Sequence, residues 1–235
     1  MNEVFFISLV FCLGFGLESV FGFAGAIISL SILGFFFDIK EMIVLTLFLA
    51  MTSSLCIFLS DYKKFNYTIF IEVFFAAVPG ILLGALFLKN FDSRVILKIF
   101  SVFLIFYSLW SLLNLPFLVS RIFKPIINFL GGILVGLFGT GGPLFLVAMR
   151  ERFKDKSELR TTIAAIFLIC GIFRIPTYYY QGLLDFSRVY KFWPIILPFI
   201  TTIILGKKVH VRISEKLFQT GISVLLLIAG VSFLL

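Results

Sequence analysis

From Val4 to Phe37 the chain runs for 34 residues with a single charged side chain, Glu18. As one continuous helix this stretch would be about 51 Å long, whereas the hydrocarbon core of a bilayer is about 30 Å thick. It is too apolar for water and too long for one straight crossing. Seven more charge-poor segments follow, at 42–60, 68–88, 99–119, 125–149, 161–180, 192–206 and 217–235. The 192–206 segment is short and carries Pro194 and Pro198, which predicts a bent or irregular helix. Hydrophobic residues make up 61% of the 235 and charged residues 14%. That leaves too little polar surface to cover a soluble globule, which needs about 25% charged residues. Lipid is therefore expected to be the solvent for most of the outer surface, which excludes a cytosolic enzyme, a secreted domain and a disordered tail.

The net charge of +8 does not point to nucleic acid, because the basic residues fall in short loops between apolar runs, where they orient a chain in a membrane. Cys12, Cys56 and Cys170 lie inside apolar runs without metal-ligand spacing and read as small buried hydrophobes. Met1-Asn2-Glu3 lacks a basic region, so no cleavable signal peptide is expected.

An internal repeat accounts for the long first segment. Gly14 to Ala26 reads GFGLESVFGFAGA and Gly131 to Pro143 reads GGILVGLFGTGGP; a shift of 117 positions aligns Gly14 with Gly131, Phe21-Gly22 with Phe138-Gly139, and Gly25 with Gly142. Phe65-Asn66-Tyr67 parallels Leu184-Asp185-Phe186, and Lys98-Ile99-Phe100 parallels Lys216-Leu217-Phe218, at nearly the same shift. This predicts an all-α polytopic membrane protein of about eight hydrophobic segments in two homologous four-segment repeats, 1–113 and 125–235, joined by a linker at 114–124. The first segment of each repeat is expected to be broken or re-entrant at its Gly cluster. In lipid, irregular backbone survives only where protein or a water-filled cavity satisfies it. Gly139-Thr140-Gly141-Gly142-Pro143 is dense in glycine and Pro143 lacks a donor, which favours breakage over close packing of small residues.

With eight crossings, the loops after the odd segments hold thirteen Lys and Arg, and those after segments 2, 4 and 6 hold six. With re-entrant hairpins at 4–37 and 125–149 the sides regroup, again as thirteen against six. Either way the positive-inside rule puts both termini outside and the Arg150–Arg160 loop in the cytoplasm. The count leaves parallel and inverted repeats both open.

Arg174, in CGIFRIPTYYY, is the most informative intramembrane charge. It either binds an anion or snorkels to the outer headgroups, helped by Tyr178, Tyr179 and Tyr180. Glu18 has no charge within 14 residues on either side; it is expected to carry a coupling proton, to pair with Arg174 or Lys98, or to face a wet vestibule. Glu72 reads as an interface marker, and Lys98, Arg160 and Lys216 as interfacial anchors at segment starts. His210 lies in a basic loop and is a poor ligand. No H-E-x-x-H, G-x-S-x-G, phosphate-binding loop or Cys/His cluster occurs, so no enzyme, metal or cofactor is expected.

At these Gly motifs the chain resembles the TauE/SafE family, the sulfite exporter or four-toluene-sulfonate uptake permease family. Gly136-Leu137-Phe138-Gly139-Thr140-Gly141-Gly142-Pro143 resembles its G-T-G-G-P form, Arg160-Thr161-Thr162 its R-A-T, and Gln181-Gly182-Leu183-Leu184-Asp185 its G-x-x-D turn. The first half departs from the pattern at Glu18-Ser19 and Phe23-Ala24-Gly25. The resemblance implies an anion transporter of a bacterial plasma membrane, with sulfite, sulfonates or sulfoacetate as typical substrates.

The expected function is a secondary transporter for a small, sulfur-containing anion, with an anion channel or a membrane subunit that docks a partner as alternatives. The expected substrate site lies between the two Gly clusters, at Ser19, Gly22, Gly25, Gly139, Thr140, Gly141, Gly142 and Arg174, with Glu18 for coupling. The expected partners are the anion, the lipid bilayer and a coupling proton, with no nucleic acid; the oligomeric state stays open.

Overall fold

The computed structural model describes residues 3–21, 24–113, 120–149, 152–153, 155–209 and 215–235. Every regular element among them is helical: α1 (Glu3–Phe21), α2 (Gly25–Leu33), α3 (Ile39–Asp61), α4 (Tyr67–Asn90), α5 (Ser93–Leu112), α6 (Lys124–Phe138), α7 (Gly142–Met149), α8 (Lys156–Tyr180), α9 (Phe186–Tyr190), α10 (Ile196–Val209) and α11 (Glu215–Leu234), with short 3-10 turns between some of them. Five helical stretches, Ile39–Lys64, Tyr67–Asn90, Ser93–Leu112, Arg121–Phe138 and Ser157–Tyr180, are long and apolar enough to cross a membrane; Trp193–Leu205 and Thr220–Leu234 are shorter apolar helices. Pro194 lies in a 3-10 turn, Trp193–Ile195, that leads into α10. Residues 114–119 of the expected linker and His210 lie outside the described residues.

The two segments that open the expected repeats are each divided into two helices. α1 ends at Phe21 and α6 at Phe138, while α2 begins at Gly25 and α7 at Gly142. Both pairs of boundaries stand 117 positions apart, the register of the sequence alignment. Each second helix folds back on the first. A β-carbon on Gly14 would collide with the Ser29 hydroxyl, and one on Gly131 would lie 2.6 Å from the Phe145 ring. In unbroken helices these partners would be about 21–22 Å apart. Phe6 and Phe36 close the open end of the first hairpin, their rings edge to face at 5.3 Å.

Left-handed backbone makes the turns possible. Gly139 has φ 72° and caps α6, where a residue without a β-carbon fits at no cost. In the first turn Ala24 has φ 87°, a region that costs an L-residue about 1–2 kcal/mol. Ala24→Gly is therefore expected to raise stability by about 1 kcal/mol, read as a higher melting temperature in detergent; an unchanged or lower value would mean that the strain is relieved elsewhere.

Glycines also bring helices close. Gly80 and Gly84 of α4 lie against α6 at Phe129 and Ile133, and Gly132 and Gly136 of α6 lie against the Ala77 and Ile81 carbonyls of α4. This is a paired small-xxx-small contact. α11 packs on α5 with Gly230 over Ser101 and Leu104, and the Ser223 hydroxyl bonds to that of Ser111 at 2.7 Å. α1 packs on α10 through Phe15 and Phe199, and α3 on α8 through Met51 and Gly171.

Polar groups tie the α3–α4 turn to the start of α8. Lys64 pairs with Asp155 at 3.5 Å, the Asn66 amide donates to Glu158 at 2.8 Å, and the Asn66 N–H donates to the Thr162 hydroxyl at 3.1 Å. Glu72, expected only to mark the interface, accepts two hydrogen bonds from Arg152, and this holds Arg152 above its ordinary pKa. Asp155 caps α8 by accepting from the Glu158 N–H at 2.7 Å, which depresses its carboxyl; the cap is complete above the ordinary aspartate range and lost only as the pH falls through the lowered value. With the cap at Asp155, Arg160 lies a turn inside α8 rather than at its start. Lys98 likewise lies inside α5, which begins at Ser93.

Candidate functional site

The second break is built from the end of α6, the residues Gly139, Thr140 and Gly141, and the start of α7. Gly139 donates back to Val135 at 2.8 Å and ends α6. α7 then restarts at Gly142-Pro143, with Phe145 donating to the Gly141 carbonyl at 3.0 Å. The first-turn N–H groups before Phe145 have no intrahelical acceptor, and they carry the positive end of the helix dipole. Thr140 is buried here.

Arg174 meets this break. Its guanidinium lies beside Gly139, where a β-carbon would stand 3.0 Å from Nη1. The side chain is 2% exposed, so it is packed inside the protein rather than extended to the headgroups. Tyr178, expected at the interface, is buried as well and holds the guanidinium in place. Its hydroxyl accepts from Arg174 Nε at 3.2 Å and Nη2 at 2.8 Å, and donates to the Gly136 carbonyl at 2.6 Å. Tyr179 and Tyr180 are exposed. No carboxylate forms an ion pair with Arg174 among the described residues. A buried cation without a counter-ion is costly unless something anionic visits it.

The first break is organised differently. Glu18 is buried, and its carboxylate accepts from the Gly25 N–H at 3.0 Å and from the Ser53 hydroxyl at 2.9 Å. It thus caps α2 from the helix before it. Neither Arg174 nor Lys98 pairs with it; the charge that reaches it is that of Arg160. Ser19 is buried, but its hydroxyl donates to the Gly16 carbonyl of its own helix at 2.7 Å. Gly22 lies outside the described residues. Gly141 is in the break but also packed, since a β-carbon there would strike the Gly131 carbonyl.

The pairing of α3 with α8 sets the spacing of the two breaks along the helices. Met51 packs on Gly171, three residues before Arg174. Ser53, which holds Glu18, is two residues beyond Met51. α3 and α8 run antiparallel, since Asn66 meets Thr162 and Met51 meets Gly171, so these offsets add to about 7–8 Å of helix rise. The structure therefore brings Gly139 and Arg174 together, and Glu18 and Gly25 together. Ser53, Tyr178 and Arg160 are added by the tertiary structure. Their signals in the sequence are slight: a Ser-Ser pair inside an apolar helix, and a Tyr four residues after an Arg.

The family description "Sulfite exporter TauE/SafE" matches residues 6–233. The chain belongs to the TauE/SafE family. This is a family of membrane transporters, so a small-molecule substrate and a membrane environment come with membership. A TauE/SafE-family relative, "Probable inner membrane transporter protein TsaS" of Comamonas testosteroni, is 23% identical over 166 residues, covering 67% of this chain and 69% of the relative. No solved structure matches the chain.

Proposed function

We propose that the chain is a secondary transporter of the bacterial inner membrane for a small anion: sulfite, a sulfonate or a related sulfur-containing anion. The observation that carries this reading is Arg174, a buried guanidinium without a carboxylate partner among the described residues, set beside a helix break. An anion leaving water needs donors already fixed in place. Beside the turn at Gly139, Thr140, Gly141 and Gly142 offer backbone and hydroxyl donors without a full buried charge, and Arg174 adds the long-range attraction. In this reading the α1–α2 break, at Ser19 and Gly25, forms the facing wall. The description of the relative as an inner membrane transporter supports the location.

We further infer that the two repeats, 1–113 and 125–235, are inverted. Each has one re-entrant hairpin, α1–α2 or α6–α7, and three crossings. Eight crossings would put the α3–α4 turn and the 150–160 loop on opposite faces, yet Lys64 and Asp155 form an ion pair. The positive-inside rule makes that shared face cytoplasmic and both termini extracytoplasmic. Lys64→Cys and Asp155→Cys, each in a chain without its native cysteines, should both resist an impermeant thiol reagent in intact cells and both react in inverted vesicles. Labelling from opposite sides would restore the parallel scheme.

Glu18 is the coupling group in this reading, since it is the buried carboxylate at a break. Glu18→Gln should abolish proton-driven accumulation in proteoliposomes while leaving substrate exchange intact. Unchanged accumulation would reduce Glu18 to a structural cap. Accumulation of sulfite or a sulfonate beyond its own electrochemical gradient by the parent separates a transporter from a channel.

A further inference from the structure

The groups that hold Glu18 are those an anion site requires. The Gly25 N–H stands at the positive end of α2 and gives one hydrogen bond to the carboxylate. Ser53 on α3 gives a second from a fully buried hydroxyl. Arg160 on α8, whose nearer counter-charge is Asp61 at the end of α3, also lies within electrostatic reach of Glu18, and its Nε is buried without a hydrogen-bond partner. Two elements thus aim donors at one point, with the positive charge of Arg160 within reach, and the anion found there belongs to the protein. The second break has no such group: the position 117 residues beyond Glu18 is Val135.

We propose that Glu18 is a tethered competitor occupying a second anion-binding site, whose alternative ligand is the transported anion. The proposal rests on the anion-transporter reading. The Gly25 N–H and the Ser53 hydroxyl serve either the Glu18 carboxylate or a free anion, never both. When a proton binds a Glu18 carboxyl oxygen, the neutral acid no longer balances the positive end of α2, Arg160 keeps only Asp61 as its counter-charge, and an anion held at Arg174 advances to take the place of the carboxylate. One proton is then taken up for each anion that moves, which couples the two without a moving gate. The charged group facing Glu18 from the helices packed around it is Arg160; the neighbouring contacts from α2, α3 and α10 are Gly25, Ser53 and, a turn away at Gly16, Thr202.

Methanesulfonate stays ionised across the useful pH range and is the probe. Titration calorimetry on the purified full chain at about pH 8 should show one site in the parent, lost in Arg174→Gln. Glu18→Ala should bind two anions, and Glu18→Ala with Ser53→Ala one. The parent itself provides the second measurement, which holds even where the Ala variant does not fold. Its stoichiometry should rise from one to two as the pH is lowered from about 8 to about 4, through the ordinary range of a carboxyl. A single Arg174-dependent site that never becomes two in the parent or in Glu18→Ala overturns this proposal alone. A parent with no Arg174-dependent site overturns the transporter reading and this proposal with it.

Discussion

Arg174→Met should cut transport by about 100-fold while leaving a protein at least as stable as the parent. Removing a buried cation from its anion loses roughly 3 kcal/mol of recognition, which is about two orders of magnitude. A catalytic or binding residue that costs stability shows the opposite sign when it is removed. Breaking a buried ion pair destabilises because it strands the other charge, but among the described residues Arg174 has no carboxylate to strand. Insertion of an arginine costs about 2.5–3.5 kcal/mol at mid-membrane, and methionine recovers part of that. Tyr178 keeps its own bond to Gly136. Uptake into proteoliposomes and the melting temperature in detergent should therefore move in opposite directions, or the latter not at all. Arg174→Lys keeps the charge but loses the planar fork that spans the Tyr178 hydroxyl, so it should raise KM about tenfold with the maximal rate largely kept. Normal transport by the Met variant would place the anion elsewhere, and marked destabilisation would make Arg174 a structural residue.

Gly132→Val should prevent accumulation of folded protein altogether. A β-carbon at Gly132 would enter the carbonyl and Cα of Ala77 on α4, and Gly136 meets Ile81 in the same way one turn on. Backbone cannot rotate aside as a flexible side chain can, so α4 and α6 would have to separate along their whole contact. Overpacking commonly costs about 1–3 kcal/mol, and forcing apart two backbones should exceed about 3 kcal/mol. Membrane-extracted protein should fall to background on a monodispersity assay. Gly221→Ala is the control, because a β-carbon at Gly221 meets nothing within 4 Å; that variant should accumulate at least as well as the parent. Equal loss in both would mean that glycine content, not the α4–α6 contact, is what matters.

The Gly132 result bears on how the Gly clusters are to be read. Breakage and close packing are alternatives in the sequence, yet the structure uses both within one cluster. Gly132 and Gly136 serve packing, Gly139 supplies the left-handed turn, and Gly141 lies in the break while resting on Gly131. The x-x-x spacing is visible in the letters, and it recurs at Gly80 and Gly84. Spacing alone does not say which helix will be the partner, because that depends on where the hairpin turns.

Hydropathy and length by themselves determined the membrane class, the positions of the apolar helices and the impossibility of one straight helix over Val4–Phe37. These follow from local quantities: apolar area per residue, rise per residue and the thickness of the bilayer. The 117-position shift was legible in the letters alone, and the helix boundaries at Phe21 and Phe138, and at Gly25 and Gly142, stand at that same spacing. Tertiary structure alone decided the partners of the buried charges. Tyr178 is four residues from Arg174, but Gly139 is 35 residues away and Ser53 is 35 residues from Glu18. The same positive-inside count suited two chain paths, and the inverted one is proposed on tertiary contacts, the Lys64–Asp155 pair and the Asn66 bonds to Glu158 and Thr162. The physical reason is the range of the interactions. Burial and helix propensity act within a few residues of sequence. A charge in low dielectric is settled by whichever group the fold brings within about 3 Å, and no local pattern encodes that.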